Sequence, residues 1–118
     1  MSKFGTVKIS GSSMAPTYQD GDWLLVQWLG FSAVTAKRGE KNRGESLLGK
    51  VVVVEREERP GIFLVKRLQK SHGGEFWVEG DNDESTDSRT WGWISGNEIV
   101  GVVLFRYRKN RTDNKPEH

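Results

Sequence analysis

The chain has 118 residues, a length that fits one domain with a single modest core. It has no cysteine, so disulfide bonds, thiolate catalysis and cysteine-ligated zinc are excluded. Its 18 basic and 16 acidic side chains leave a formal net charge of +2, which does not indicate a nucleic-acid partner, and its 14 glycines disfavour a helical bundle.

Short runs of alternating or continuous apolar residues predict β-strands along most of the chain. The predicted strands cover residues 6–10, 22–28, 49–55, 62–68, 76–79 and 98–108. The third strand contains four consecutive valines, which favours burial on both faces, and it is expected to form a hairpin with the fourth. Six or seven strands without a helical period predict an all-β fold, a small rolled sheet or β-barrel with long loops.

Loops and chain ends complete the predicted organisation. Residues 30–47 are poor in apolar side chains and rich in charge, so we expect a long surface loop. Residues 1–110 are expected to form one domain, followed by a disordered tail at 111–118. No signal-peptide core and no run of about 18 apolar residues is found, so a cytoplasmic protein without a transmembrane segment is expected.

Residues 9–17 form the first stretch suited to chemistry. Their sequence, Ile-Ser-Gly-Ser-Ser-Met-Ala-Pro-Thr, ends a predicted strand and turns on glycine, serine and proline. A hydroxyl on such a turn can point into a cleft, although most surface turns contain serine. The turn therefore indicates chemistry only in combination with residues further along the chain.

Lys66 is the second feature, because it lies inside an apolar strand. In a strand it shares one face with Leu64 and Leu68, while Val65 and Arg67 face the other way. If the first face is buried, desolvation lowers the pKa of the Lys66 amine, and a neutral amine can accept a proton from a serine hydroxyl. The alternative is an edge-strand lysine whose ammonium group reaches water.

The third feature is the polar stretch 80–89, Gly-Asp-Asn-Asp-Glu-Ser-Thr-Asp-Ser-Arg, directly after a predicted strand. It lacks the central glycine and the glutamate at position twelve of a calcium loop. A charge-assisted pair between Arg89 and either Asp87 or Asp81 would hold this stretch in place. It is therefore expected to be a structured polar loop.

Taken in order, these stretches resemble the sequence boxes of the type I signal peptidase family of Ser/Lys proteases. The boxes are Ser-Gly-Ser-Ser-Met-Ala-Pro-Thr at 10–17, Gly-Asp at 21–22, Val-Lys-Arg at 65–67, Gly-Asp-Asn at 80–82 and Ser-x-Asp-Ser-Arg at 85–89. They span most of residues 7–105, and residues 1–110 are then a single Ser/Lys peptidase catalytic domain of the signal peptidase/LexA type. Within the family, the chain is most similar to the soluble nickel-type superoxide dismutase maturation protease.

The resemblance implies a role for each matched catalytic residue. Ser13 matches the nucleophile, rather than its neighbour Ser12, and Lys66 matches the general base. Ser85 matches the hydroxyl that orients the lysine amine. Asp87 and Arg89 match the pair that holds the loop.

Further positions are assigned by the same resemblance. Asp81 and Asn82 match the turn that precedes the orienting serine. The backbone N–H of the nucleophile and the Gly11 region are expected to hold the oxyanion, although glycine at position 11 supplies no hydroxyl donor. Met14 and Pro16 are expected to contact the substrate.

The implied activity is that of a serine endopeptidase which removes a short N-terminal propeptide or leader from a precursor protein. The resemblance makes the nickel superoxide dismutase precursor the expected substrate, bound as an extended strand. Neither a cofactor nor a metal site is expected, since the two histidines lie far apart. Peripheral lipid contact through exposed Trp91 and Trp93 stays open.

Two alternatives remain open on the sequence alone. A LexA-type self-cleaving peptidase shares the Ser/Lys pair, but it cuts its own chain at an Ala-Gly or Cys-Gly bond, and this sequence contains neither. A non-catalytic β-barrel that binds peptides could use the five tryptophans as a platform, although core packing is the simpler interpretation of these side chains. Such a module would not need Ser13 or Lys66.

Overall fold

The computed structural model describes residues 3–29 and 47–108. In this part of the chain the strands are β1 Lys3–Lys8, β2 Trp23–Trp28, β3 Val51–Glu55, β4 Phe63–His72, β5 Glu75–Glu79, β6 Ile94–Ser95 and β7 Ile99–Arg108. They form one antiparallel sheet in the order β1-β2-β7-β3-β4-β5-β6. A one-turn helix, α1 at Ser88–Trp91, and a 3₁₀ turn at Gly96–Glu98 lie between β5 and β7. The all-β prediction is confirmed.

The four valines of β3 explain where the core lies. Alternation along the strand places Val52 and Val54 in one hydrophobic cluster and Val51 and Val53 in the other. All four are at most 7 % exposed, because β3 lies between β7 and β4 with packed residues on each face. The predicted burial of both faces and the predicted hairpin with β4 are both confirmed.

Several predicted strand ends differ from the structure: β1 covers Lys3–Lys8 instead of 6–10, and β4 has the largest extension. β4 continues to His72, past its predicted end at Leu68, because it pairs with β5 through a two-residue turn. Gly73 and Gly74 in that turn have φ values of 59° and 85°, which glycine adopts at little steric cost. The loop predicted at 30–47 lies outside the described residues except for buried Leu47, and so does the predicted tail.

The sheet curls into a half-barrel, so that β2 approaches β4 although β7 and β3 separate them in the strand order. The rings of Trp28 and Phe63 make this contact, with centroids 5.5 Å apart. Trp28 also lies over Gly5 of β1, where a Cβ would be 2.5 Å from the indole Nε1. Glycine at position 5 therefore leaves room for the indole that joins the two sides of the roll.

The described residues contain no helix with the length and apolar character needed to cross a membrane.

Candidate active site

A cleft of about 270 Å³ lies between the end of β1 and the beginning of β4. Residues 7–10 and Ser13 line one side, and residues 62–66 line the other. Both residues that the sequence suggests as catalytic, Ser13 and Lys66, therefore face the same cavity, although they are 53 positions apart in the chain (66 − 13). The curl of the sheet is what brings them together.

The turn that carries Ser13 is closed at its base by backbone hydrogen bonds. The N–H of Ile9 donates to the carbonyl of Asp22 at 2.7 Å, and the N–H of Gly21 donates back to the carbonyl of Ile9 at 2.8 Å. Inside the turn, the N–H of Ala15 donates to the carbonyl of Ser12 at 3.0 Å. These bonds make a compact loop, so Ser13 does not depend on a long flexible segment for its position.

Met14 and Pro16 lie elsewhere than the substrate-contact prediction expects. The Met14 side chain is 1 % exposed and packs in the cluster that contains Val51 and Val53, so it anchors the turn in the core. Pro16 is exposed but does not line the cleft. The sequence analysis did not assign a role to Ser10, which does line the cleft. The signal that could have found it is its position directly after Ile9, an apolar and buried residue.

Lys66 is 3 % exposed in the middle of β4. It pairs in register with Val52 of β3, and its side chain is buried, so the alternative of a lysine whose ammonium group reaches water is wrong; the pairing of β4 with β5 begins one residue later, at Arg67. Leu68 on the same face is fully buried, as the period-two pattern predicted, whereas Arg67 on the other face is partly exposed. The apolar strand thus holds an amine inside the protein at the wall of the cleft.

The electrostatic surroundings of Lys66 favour the neutral amine. Burial lowers the pKa of Lys66 most strongly; the Asp87 carboxylate raises it in part, and the Arg89 guanidinium lowers it again. The ion pairs formed within the described part of the chain do not include Lys66. A lysine in this setting is suited to accept a proton.

Asp87 organises the loop that follows β5. Its buried Oδ2 accepts hydrogen bonds from the N–H of Gly80 at 2.7 Å, from Nη2 of Arg89 at 2.7 Å and from the hydroxyl of Ser85. Its Oδ1 accepts from the N–H of Arg89 at 3.0 Å, which caps α1. Burial alone would raise the pKa of Asp87, but these hydrogen bonds, that of Arg89 first, hold the pKa well below its usual value. The geometry contains the Asp87–Arg89 pair expected from the sequence.

Ser85 takes part in this hydrogen-bonded group. Its hydroxyl donates to Asp87 and accepts from the N–H of Gly80 and from Nη2 of Arg89, each at 3.2 Å. The lysine-orienting role remains a prediction for this residue. The structure gives it a second function, since it satisfies the polar groups around a buried carboxylate.

The loop that follows β5 contacts the backbone of Ser13 directly. The N–H of Asn82 donates to the carbonyl of Ser13 at 2.9 Å. A Cβ at Gly80 would lie 2.5 Å from the same carbonyl oxygen and would also clash with the Ser85 hydroxyl. The absence of a side chain at position 80 therefore allows the loop to pack against the turn.

Asp81 joins the turn to β4. Its carboxylate accepts two hydrogen bonds from Arg67, Nε to Oδ1 at 2.9 Å and Nη2 to Oδ2 at 2.8 Å. The Thr17 hydroxyl donates to the same Oδ2 at 2.5 Å. The bonds from Arg67 are the main reason why the pKa of Asp81 lies below its usual value. Of the two acidic partners considered for Arg89, Asp81 is thus paired with Arg67 instead.

Gly11 also differs from its predicted role. Its N–H donates to Oδ1 of Asp20 at 2.7 Å, so this backbone donor is already paired with a carboxylate. The residue is exposed and has a φ of 93°, a conformation that glycine supports without strain. The geometry therefore gives Gly11 the task of shaping the turn rather than that of stabilising an oxyanion.

The simpler interpretation of the tryptophans, core packing, is confirmed for Trp28 and Trp91, which pack against the two core clusters. Four of them are partly buried, and Trp93 is 41 % exposed. Of the two considered for lipid contact, Trp91 is covered on one face by the Arg56 guanidinium, whose Cζ lies 4.7 Å from the ring centroid. Trp93 instead packs edge-on against Trp77, with centroids 5.3 Å apart.

The sequence matches the family model described as Peptidase S24-like over residues 2–104. The chain belongs to this Peptidase S24-like family. Signal peptidase IB of Staphylococcus aureus is 27 % identical in an alignment 143 positions long, which covers 84 % of this chain and 75 % of that protein. Mitochondrial inner membrane protease subunit 1 of Homo sapiens is 30 % identical over 118 residues, which cover 86 % of this chain and 68 % of that protein.

Membership of the Peptidase S24-like family confirms the coarser part of the sequence interpretation. The chain is a peptidase similar to the signal peptidases, as the order of its sequence boxes predicted. The non-catalytic binding module is therefore the weaker alternative. The sheet architecture agrees with the fold implied by the resemblance.

Proposed function

We propose that this protein is a serine endopeptidase in which Ser13 is the nucleophile and Lys66 is the general base. The observation that carries the proposal is that both residues line one cleft, and that the amine is 3 % exposed in an apolar strand. Burial lowers the pKa of this lysine, which raises the fraction of neutral amine available to accept a proton.

The reaction is built on these two groups. Neutral Lys66 Nζ accepts the proton of Ser13 Oγ as the oxygen attacks the scissile carbonyl and forms a tetrahedral intermediate. The C–N bond then breaks, the ammonium group of Lys66 returns the proton to the leaving amine, and an acyl-enzyme remains. Water attacks this ester, giving its proton to Lys66, and the free carboxyl product leaves as the proton returns to Ser13.

The surrounding hydrogen bonds support this assignment by fixing the nucleophile from two sides. The N–H of Asn82 holds the Ser13 carbonyl at 2.9 Å, and Asp81 connects Thr17 of the same turn to Arg67 beside the base. Rigid positioning of reacting groups is a large part of enzymatic rate enhancement. The two elements that carry the dyad are thus fastened to one loop.

The substrate we propose is a polypeptide bound in extended form. One side of the cleft consists of residues 7–10 at the end of β1, the other of residues 62–66 at the beginning of β4, and six of these nine side chains are apolar. Two walls of extended backbone suit an extended peptide, with shallow apolar contacts beside the scissile bond. We propose that the cut removes a short N-terminal propeptide or leader from a precursor protein in the cytoplasm.

The nickel superoxide dismutase precursor is the specific substrate we propose. The support is the resemblance of the sequence boxes to those of the maturation protease of that enzyme. The named relatives are a signal peptidase and a mitochondrial membrane protease, so a membrane-protein leader is the competing substrate class. The two classes are separated by offering both precursors to the same preparation.

The test incubates purified protein with each precursor and locates the cut by mass spectrometry. Ser13→Ala and Lys66→Met should each lower the rate by at least about 10³-fold, because neither group can replace the other. Ser12→Ala is the matched control, since Ser12 is the exposed neighbour outside the cleft lining, and it should retain activity. Cleavage at an undiminished rate by Ser13→Ala would contradict the proposal, and cleavage of the protein itself would favour the LexA-type alternative.

A further inference from the structure

Arg56, directly after β3, carries a nearly buried charge that the proposed reaction does not use. Its side chain is 16 % exposed, and its Cζ lies 4.7 Å from the centroid of the Trp91 ring. Nε of Arg56 lies 3.6 Å from Oε2 of Glu98, whose side chain is 9 % exposed. The guanidinium is therefore enclosed between an aromatic ring and a buried carboxylate.

The contacts of this guanidinium are unusual for a buried arginine. Within the described residues, Nε of Arg56 is buried and has no hydrogen-bond partner. The Glu98 carboxylate is instead bonded to the N–H of Glu57 at 2.9 Å. Removing a guanidinium from water without full hydrogen bonding is costly, and an apolar side chain would fill this space at lower cost. Nη2 of Arg56 lies 3.6 Å from Oε1 of the exposed Glu58, and the guanidinium lies over the face of Trp91.

Trp91 connects Arg56 to the loop that carries Asp87. It is the last residue of α1 and packs against the hydrophobic cluster that contains Val52. Its N–H and that of Thr90 each donate to the backbone carbonyl of Asp87 at 2.8 Å. Asp87 in turn binds Gly80 and Ser85 through its carboxylate. A shift of the indole would therefore move the residue that holds the loop.

We propose that Arg56 is a positioning residue of the peptidase site: it clamps Trp91, thereby fixes α1, and so holds the Asp87 carboxylate where it supports the nucleophile turn. This inference rests on the proposed function of Ser13 and Lys66. Arg56 acts through a helix of four residues that has little stability of its own, so an external clamp has a clear effect on its position.

The experiment compares Arg56→Met and Arg56→Lys with wild type. Arg56→Met keeps an apolar stem but removes the cation, whereas Arg56→Lys restores a charge over Trp91. Lys70→Met is the matched control, because it removes a cation 5.5 Å from the ring centroid of Trp77, a contact outside α1. Each variant is measured well below its unfolding temperature for kcat, KM, the pH dependence of kcat/KM and amide hydrogen exchange of residues 80–92.

Arg56→Met should lower kcat about 10-fold with KM changed less than about twofold, because the loss is one of positioning. Exchange of residues 80–92 should accelerate, and the rising limb of the pH profile should move, since Asp87 and Arg89 both influence the Lys66 amine. Arg56→Lys should recover most of kcat. Lys70→Met should match wild type in all four measurements.

A merely structural Arg56 would give a lower unfolding temperature with unchanged kcat, pH profile and exchange, and that result would overturn the inference. If Arg56→Met does not fold, Arg56→Lys and Trp91→Leu are measured in its place. We expect Trp91→Leu to lower kcat and to accelerate the exchange of residues 80–92. Wild-type kinetics in Trp91→Leu would overturn the inference that Arg56 acts through this ring. A wild-type protein no more active than Ser13→Ala rejects the proposed function instead, and the exchange data then still decide whether Arg56 holds the loop.

Discussion

Arg67 and Asp81 form a two-bonded ion pair, with Nε to Oδ1 at 2.9 Å and Nη2 to Oδ2 at 2.8 Å. Arg67 is the neighbour of Lys66 on β4, and Asp81 follows Gly80 at the end of β5. Because the Thr17 hydroxyl bonds the same carboxylate, one side chain links the strand of Lys66, the turn of Ser13 and the loop between them. Planar pairs of this kind fix orientation as well as distance.

Asp81→Asn should therefore misplace the two halves of the site without unfolding the protein. An amide cannot accept two bonds from Arg67, so we expect a loss of about 2 kcal/mol in the free energy of unfolding and at least a 10-fold lower kcat/KM. Denaturant unfolding and peptide cleavage measure the two effects. Asp83→Asn in the same loop is the control, because that carboxylate is exposed and 3.6 Å from Arg89; an equal loss in both variants would argue against a special role for Asp81.

Gly80→Ala should impair catalysis by steric displacement. The added Cβ would lie 2.5 Å from the Ser13 carbonyl oxygen and would also meet the Ser85 hydroxyl, so the loop and the turn must separate. We expect about a 10²-fold lower kcat, the size of effect that a misplacement of about 1 Å can cause. Gly101→Ala is the comparison, since its Cβ would meet a side-chain carbon of Val26 at 2.8 Å. It should lower stability while leaving kcat of the folded protein unchanged; equal kcat values for both variants would contradict the role of Gly80.

The rate of cleavage should rise with pH through the pKa of Lys66, because the neutral amine is the reactive form. That pKa lies below the ordinary value of 10.5. Asp87 raises it and Arg89 lowers it, so Asp87→Asn should move the rising limb to lower pH. The measurement is kcat/KM against pH for wild type and Asp87→Asn. Lys66→Arg should be inactive across the range, since a guanidinium does not release its proton; activity in that variant would refute the role of the base.

Lys66→Met should stabilise the fold at neutral pH. Below pH 10.5 the unfolded chain holds a hydrated, charged amine, whereas the folded protein must either bury that charge or give up the proton, so Lys66 costs stability there. We expect a gain of about 1 kcal/mol, which shrinks as pH rises toward 10.5 because the unfolded chain then loses the same proton. Thermal unfolding at several pH values tests this, and a variant less stable than wild type at neutral pH would contradict it.

Asp87 should stabilise the fold, whereas Lys66 costs stability, and the contribution of Asp87 should be lost in acid. Its folded-state pKa lies below the ordinary value of 3.8, so its contribution to stability is present above pH 3.8 and is lost as pH falls toward the lower folded-state pKa. Asp87→Asn should cost about 3 kcal/mol at neutral pH, because buried donors lose a charged acceptor. It should also flatten the dependence on acid pH. Parallel acid-unfolding curves for wild type and variant would contradict this assignment.

Local patterns in the sequence predicted much of the fold and part of the site. Four consecutive valines predicted a β3 buried on both faces, and the period-two pattern placed Lys66 on one face with Leu68, while the burial of that face became evident only in the structure. The Asp87–Arg89 pair was accessible because its members are two positions apart. In each case the relevant neighbours lie on the same strand or in the same loop.

Contacts that depend on the order of strands in the sheet could not be predicted from local patterns. Arg67 and Asp81 are 14 positions apart, and Glu57 and Glu98 are 41 positions apart. Such pairs depend on the β3–β4–β5 order and on where β7 returns, and no local pattern encodes that order. The short helix α1 could likewise not be predicted within its polar stretch. It begins after the cap residue Asp87, whose carboxylate has three further partners.

The pairing of Lys66 with Val52 has a consequence for how this enzyme can vary. The ladder between β3 and β4 holds Lys66 independently of the connection at residues 58–61, which lies at the closed end of the hairpin. That connection can be lengthened, shortened or replaced by a foreign sequence while the amine keeps its depth and direction. New substrate preferences can therefore be engineered or evolved at this rim of the cleft without rebuilding the chemical centre.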